Sequence, residues 1–105
     1  MVLIMVTVWF PPTKATEVMK KTSEVYKKTP FASFEKSLVW AGKPDKEGMM
    51  VIRIIEVKKS KLEESLRLVR KRMFMFNSIE GYNHKTEILM TTEEAMASMG
   101  AVPPK

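Results

Sequence analysis

The segment Val2-Leu3-Ile4-Met5-Val6-Thr7-Val8-Trp9-Phe10 constrains this chain more than any other. In an extended backbone, alternate side chains point to opposite faces. Val2, Ile4, Val6, Val8 and Phe10 share one face, and Leu3, Met5, Thr7 and Trp9 share the other. Both faces are apolar, so a strand built from them needs cover on both sides. Pro11 and Pro12 end it, because neither can donate to a ladder. The run is too short for a membrane-spanning helix, which needs about 20 apolar residues. No Lys or Arg precedes Lys14, as the leading region of a secretory signal would require. The segment therefore reads as a buried first strand, and a cytoplasmic location is expected.

The rest of the composition narrows the chemistry. The 105 residues suit one domain, 1–105. There is no cysteine, which removes disulfides, thiolate nucleophiles and Cys-type zinc sites. His84 is the single histidine, so a His-rich metal site is also excluded, and neither metal nor cofactor is expected. Glutamine is absent and asparagine occurs only at Asn77 and Asn83, a thermophile-like usage. Ten methionines run against that trend. The net charge of +6 is mostly lysine, 14 of the 18 cations, spread over both helical segments. That distribution suits a solvated surface better than a focused basic patch.

Residues 13–28 carry a helical face of Ala15, Val18, Met19, Thr22, Val25 and Tyr26, with Thr13 as N-cap and Pro30 as the stop. Residues 33–41 and 49–57 read as strands joined by a turn over 42–48. Charge pairing favours a register with Trp40 opposite Met50, Glu35 diagonal to Arg53 and Lys36 diagonal to Glu56. The next helix begins with a capping box of Ser60 and Glu63. Its core stripe is Leu62, Leu66, Val69, Met73 and Phe76, with Arg67, Arg70, Lys71 and Arg72 largely outside it. Residues 83–90 form a last strand. A second capping box, Thr91 with Glu94, opens a short helix ending at Gly100, and the tail from Val102 to Lys105 is expected to fray.

The order β-α-β-β-α-β fits a ferredoxin-like α+β fold: a four-stranded antiparallel sheet, two helices on one face and a short C-terminal helix. Two helices cover one face only. The second apolar face then calls for a partner, and a homodimer joined sheet to sheet is the simplest one. On this order, length and doubly apolar strands, residues 2–90 resemble the dimeric α+β barrel superfamily. That resemblance implies a ligand cleft between sheet and helices. It also implies relatives such as cofactor-free monooxygenases, muconolactone isomerases and haem-degrading enzymes. The Asn, Trp and His set of the haem-degrading branch is incomplete here, since strand one has no asparagine.

Five residues stand out as site candidates. Trp9 and Trp40 lie at strand ends, where a large ring can wall a pocket or fill a core. Arg53 interrupts Met49-Met50-Val51-Ile52-Arg53-Ile54-Ile55 and needs a partner. Glu35 or Glu56 would make it a structural ion pair, and a ligand carboxylate would make it an anion clamp. His84 is the natural general base near neutral pH, and Tyr26 could direct its hydroxyl into a cleft. The function expected is binding or transformation of a small apolar or aromatic molecule, with an anionic ligand also open. A non-enzymatic oligomeric or regulatory module is the alternative, and enzymatic activity is left open. RNA binding by a stacking sheet is disfavoured, because the strand over Met49–Val57 has no aromatic residue.

Overall fold

The computed structural model describes residues 1–46 and 48–100. The frayed tail expected at Val102–Lys105 lies outside them. The elements are β1 (Val2–Phe10), α1 (Ala15–Lys28), β2 (Glu35–Asp45), β3 (Gly48–Val57), α2 (Leu62–Phe74), β4 (Asn83–Leu89) and α3 (Thr92–Ser98). All neighbouring strands are antiparallel, in the order β2-β3-β1-β4. The two apolar strands, β1 and β3, take the centre. The more polar β2 and β4 take the edges, where lysines and Pro44 discourage further pairing.

The fold class expected from the element order is corrected here. The ferredoxin-like label gives way, on the strand order, to the observed architecture: an α+β domain of four antiparallel strands, ordered β2-β3-β1-β4, with three α-helices, the third being the short C-terminal helix expected. A linear order of elements identifies the strands, but the pairing of their edges sets the sheet.

The alternation read in β1 decides the layers. Ile4, Val6, Val8 and Phe10 are buried, together with Val18 and Val25 of α1, Ile55 and Val57 of β3, and Val69 and Met73 of α2. These form one core with Phe76 and Ile79. The opposite face carries Leu3, Met5 and Trp9, all only partly buried, beside Met50, Ile52 and Ile54. Neither long helix uses the caps expected of it. Pro12–Lys14 and Lys59–Lys61 form 3-10 turns that feed directly into α1 and α2, and neither Thr13 nor Ser60 makes a side-chain cap. The third cap does form, with Glu94 N–H donating to Thr91 Oγ1 at 3.1 Å. α3 buries no residue.

The β2–β3 hairpin differs most from expectation. Its strands run on through the segment read as a loop, pairing Lys43 with Met50, Pro44 with Met49 and Asp45 with Gly48. Pro44 is tolerated because β2 is an edge strand, which can leave an N–H out of the ladder. Gly48 has φ +113°, and a Cβ there would lie 2.4 Å from the Phe10 carbonyl oxygen, so only glycine fits. A bulge between Ser37 and Val39 shifts the register. With it Trp40 pairs with Arg53, where the register of Glu35–Ser37 continued would set it opposite Ile52. The expected Trp40–Met50 pair is displaced chiefly because the strands run on to the tight turn that pairs Asp45 with Gly48. Lys36 lies directly opposite Glu56.

Candidate functional site

The bulge places Trp40 on the helix-facing side of the sheet, next to Arg53. Val6 is the partner of Arg53 on β1, so the arginine also faces the helices. Tyr26 approaches from the last turns of α1, and Phe31 from the loop that follows it. The Arg53 guanidinium carbon lies 4.5 Å from the Trp40 ring centre, 4.7 Å from Tyr26 and 5.2 Å from Phe31. Each distance is within cation–π range. Its Nη1 donates to Ser37 Oγ at 3.0 Å. Removal from water lowers the Arg53 pKa, and the nearby Arg72 charge acts in the same direction.

Tyr26, Trp40 and Arg53 of this cage form one wall of a cleft between the sheet and the helices. Val6, Val8, Phe10 and Val51 supply its sheet side, and Val18, Met19, Thr22 and Tyr26 its α1 side. Met73, Phe76 and Tyr82 close the far end. Tyr82 stacks on Phe76 with ring centres 4.7 Å apart and planes 6° apart. Its hydroxyl donates weakly toward Met73 Sδ at 4.0 Å. The cleft volume is about 60 Å³, well below the roughly 300–1,000 Å³ of sites for drug-sized ligands. Met19 and Trp40 are 56% and 55% exposed, so the mouth is bounded by side chains free to move. Thr22 uses its hydroxyl on the Val18 carbonyl at 2.8 Å. Burial raises the Tyr26 pKa, against a smaller opposing pull from Arg53, so its hydroxyl stays protonated.

A second guanidinium holds the cage loop in place. Arg72 of α2 lies 5.0 Å from the Phe31 ring centre and 5.6 Å from that of Tyr26. Its Nη2 pairs with Glu35 Oε1 at 2.7 Å, with side chains 1% and 0% exposed. Nη1 reaches Glu35 Oε2 at 3.1 Å, while Nε and Nη2 donate to the carbonyls of Thr29 and Pro30. Ser65 Oγ and Ala32 N–H also donate to Glu35. Burial alone would raise the Glu35 pKa, but the hydrogen bonds from Arg72, Ser65 and Ala32 outweigh it and hold the carboxyl below its usual range.

Three of the five sequence candidates therefore meet: Tyr26, Trp40 and Arg53. Trp9 does not join them, because it sits on the opposite face of β1, between Met50 and Asn83. His84 pairs with Val8 and is exposed, its ring centre 6.4 Å from that of Tyr82, outside the cleft lining. The ion pair considered for Arg53 is corrected. Glu35 is taken by Arg72, and Glu56 belongs to the other face beside Lys36. Phe31 was missed by sequence reasoning; a loop aromatic just after Pro30 was the available signal. Among the described residues, no cluster of three or more His, Asp or Glu could hold a metal ion. No helix among them is long and apolar enough to cross a membrane.

No family model and no curated protein matches the sequence. Among solved structures, the chain is similar to a de novo designed protein, Foldit4. Identity is 14% and the TM-score 0.55, over 86% of this chain and 96% of that one. At that identity the likeness concerns the fold alone.

Proposed function

We propose that this protein binds a small apolar or aromatic molecule in the cleft between the sheet and the helices. The observation that carries the reading is an apolar cleft whose mouth is bounded by two exposed, movable side chains, Met19 and Trp40. Small-molecule sites commonly combine apolar walls with a few placed polar groups. Arg53 and Tyr26 supply those groups here. At about 60 Å³ the cleft is smaller than one aromatic ring, so an occupant no larger than a single ring or a short branched chain enters only as Met19 and Trp40 shift outward. The resemblance to the dimeric α+β barrel group points to the same location. Transformation of the ligand is a further step that His84, exposed and outside the cleft lining, does not support.

Trp40 fluorescence tests the reading. A Trp9→Phe variant leaves Trp40 as the only tryptophan, because the chain has two. Benzyl alcohol should then change its emission saturably, with a dissociation constant of about 1 mM or weaker, on the order of 4 kcal/mol. A strictly linear response up to the solubility limit would contradict it.

The open sheet face favours a second copy of this chain as partner. Its apolar centre is Leu3, Met5, Ile52 and Ile54, all only partly buried in the single chain. A two-fold-related copy laid on this face would bury that apolar centre against its own equivalent. Light scattering should give twice the chain mass, and Ile52→Lys should halve it. A wild-type chain that scatters as a monomer at all concentrations excludes this partner.

A further inference from the structure

We propose that the cleft ligand is an anion, a small molecule whose carboxylate docks on the free N–H edge of Arg53. This rests on the cleft reading above and adds the chemical class of the ligand.

The case begins with hydrogen-bond capacity. A guanidinium carries five N–H donors and is not deprotonated in proteins. Arg53 uses one bond, to the neutral Ser37 hydroxyl. None of the ion pairs among the described residues includes it. Arg72 gives the contrast within the same fold. It lies against the same two rings, Tyr26 and Phe31, yet a carboxylate and two backbone carbonyls satisfy it. The pair of arginines and Glu35 therefore leave one net positive charge beside the cleft. A partly desolvated cation without a counter-charge is costly, and a bidentate carboxylate offsets that cost best.

The aromatic neighbours fit this role. Tyr26, Phe31 and Trp40 hold the guanidinium by its ring contacts, leaving its polar edge for an acceptor. The apolar wall of Val6, Val8 and Val51 continues from Arg53, so one ligand can place a hydrocarbon body there and its carboxylate on the arginine. Tyr26 O–H, protonated at neutral pH, is a second donor at the same end.

The test compares benzoate with benzyl alcohol, which have the same ring and different charge, by calorimetry on the wild-type protein at pH 7 and low salt. Benzoate should bind at least about tenfold more tightly, the margin expected for a charge-assisted bidentate contact. Arg53→Met should abolish that preference, bringing the affinities of the two probes within about twofold of each other. Arg53→Lys, which keeps the charge but not the fork, should retain part of it. Equal affinity of the wild type for the two probes would overturn the anion assignment and leave the cleft reading standing. Binding of neither probe would overturn both. Benzoate preference surviving in a folded Arg53→Met protein would assign the anion to another cation and refute the role of Arg53.

Discussion

Arg72→Met should destabilise the protein by about 3–5 kcal/mol, the cost of leaving a buried carboxylate without its cation. Glu35 has a fully buried side chain and loses both guanidinium contacts in that variant. The carbonyls of Thr29 and Pro30 lose their donors as well. The melting temperature should fall by roughly 12 °C or more for a domain of this size. The double variant Glu35→Leu/Arg72→Met should be less destabilised than the sum of the two single changes, because it removes both charges together. Additive losses in thermal unfolding would mean that the pair does not act as a unit. Acid provides an independent check. The carboxyl of Glu35 titrates below its usual value in the folded state. Its contribution is therefore complete above the unfolded pKa of about 4.3, and it is lost as pH falls through the lower, folded value. Glu35→Gln should flatten that part of the pH–stability curve.

Phe76→Ala should cost a similar amount, about 3–5 kcal/mol. Phe76 is 2% exposed and stacks on Tyr82 at the closed end of the cleft. Removing the ring opens a void continuous with the cleft, since both residues line it. Benzyl alcohol should then raise the melting temperature of Phe76→Ala by more than it raises that of the wild type. A ligand that binds only the folded state stabilises it by RT ln(1 + [L]/Kd), so an enlarged site shows directly in the shift. Equal shifts would mean that the void collapses or lies apart from the cleft.

The parts legible in the sequence were those set by local pattern. The alternation of β1 placed Ile4, Val6, Val8 and Phe10 together, and they form the core. Thr91 and Glu94 announced a cap that is made. What escaped depended on distant partners. Arg72 followed Lys71 and looked like a surface charge. Its burial comes from Glu35, 37 positions earlier, which no helical periodicity records. The buried side of α2 accordingly includes Ser65 and Arg72 besides Val69 and Met73. Pairing Glu35 with Arg53 failed for the same reason, since charge arithmetic between neighbouring strands ignores a competitor on a helix.

The site was legible as residues and not as a constellation. Tyr26, Trp40 and Arg53 each stood out by type and position. One extra residue in β2, between Ser37 and Val39, puts Trp40 opposite Arg53. A bulge costs a ladder bond and re-aims the strand beyond it, and Ser37-Leu38-Val39 contains no glycine or proline to signal one.

Methyl-selective NMR during a benzyl alcohol titration tests most directly whether the cleft is the binding site. The methyl groups of Val6, Val8, Val18, Val51 and Met19 line the cleft, whereas Met5, Ile52 and Ile54 lie on the opposite face of the sheet. Saturable shifts should appear in the first set and leave the second in place. Shifts confined to Met5, Ile52 and Ile54, or no saturable shift in either set, would contradict a ligand site between the sheet and the helices.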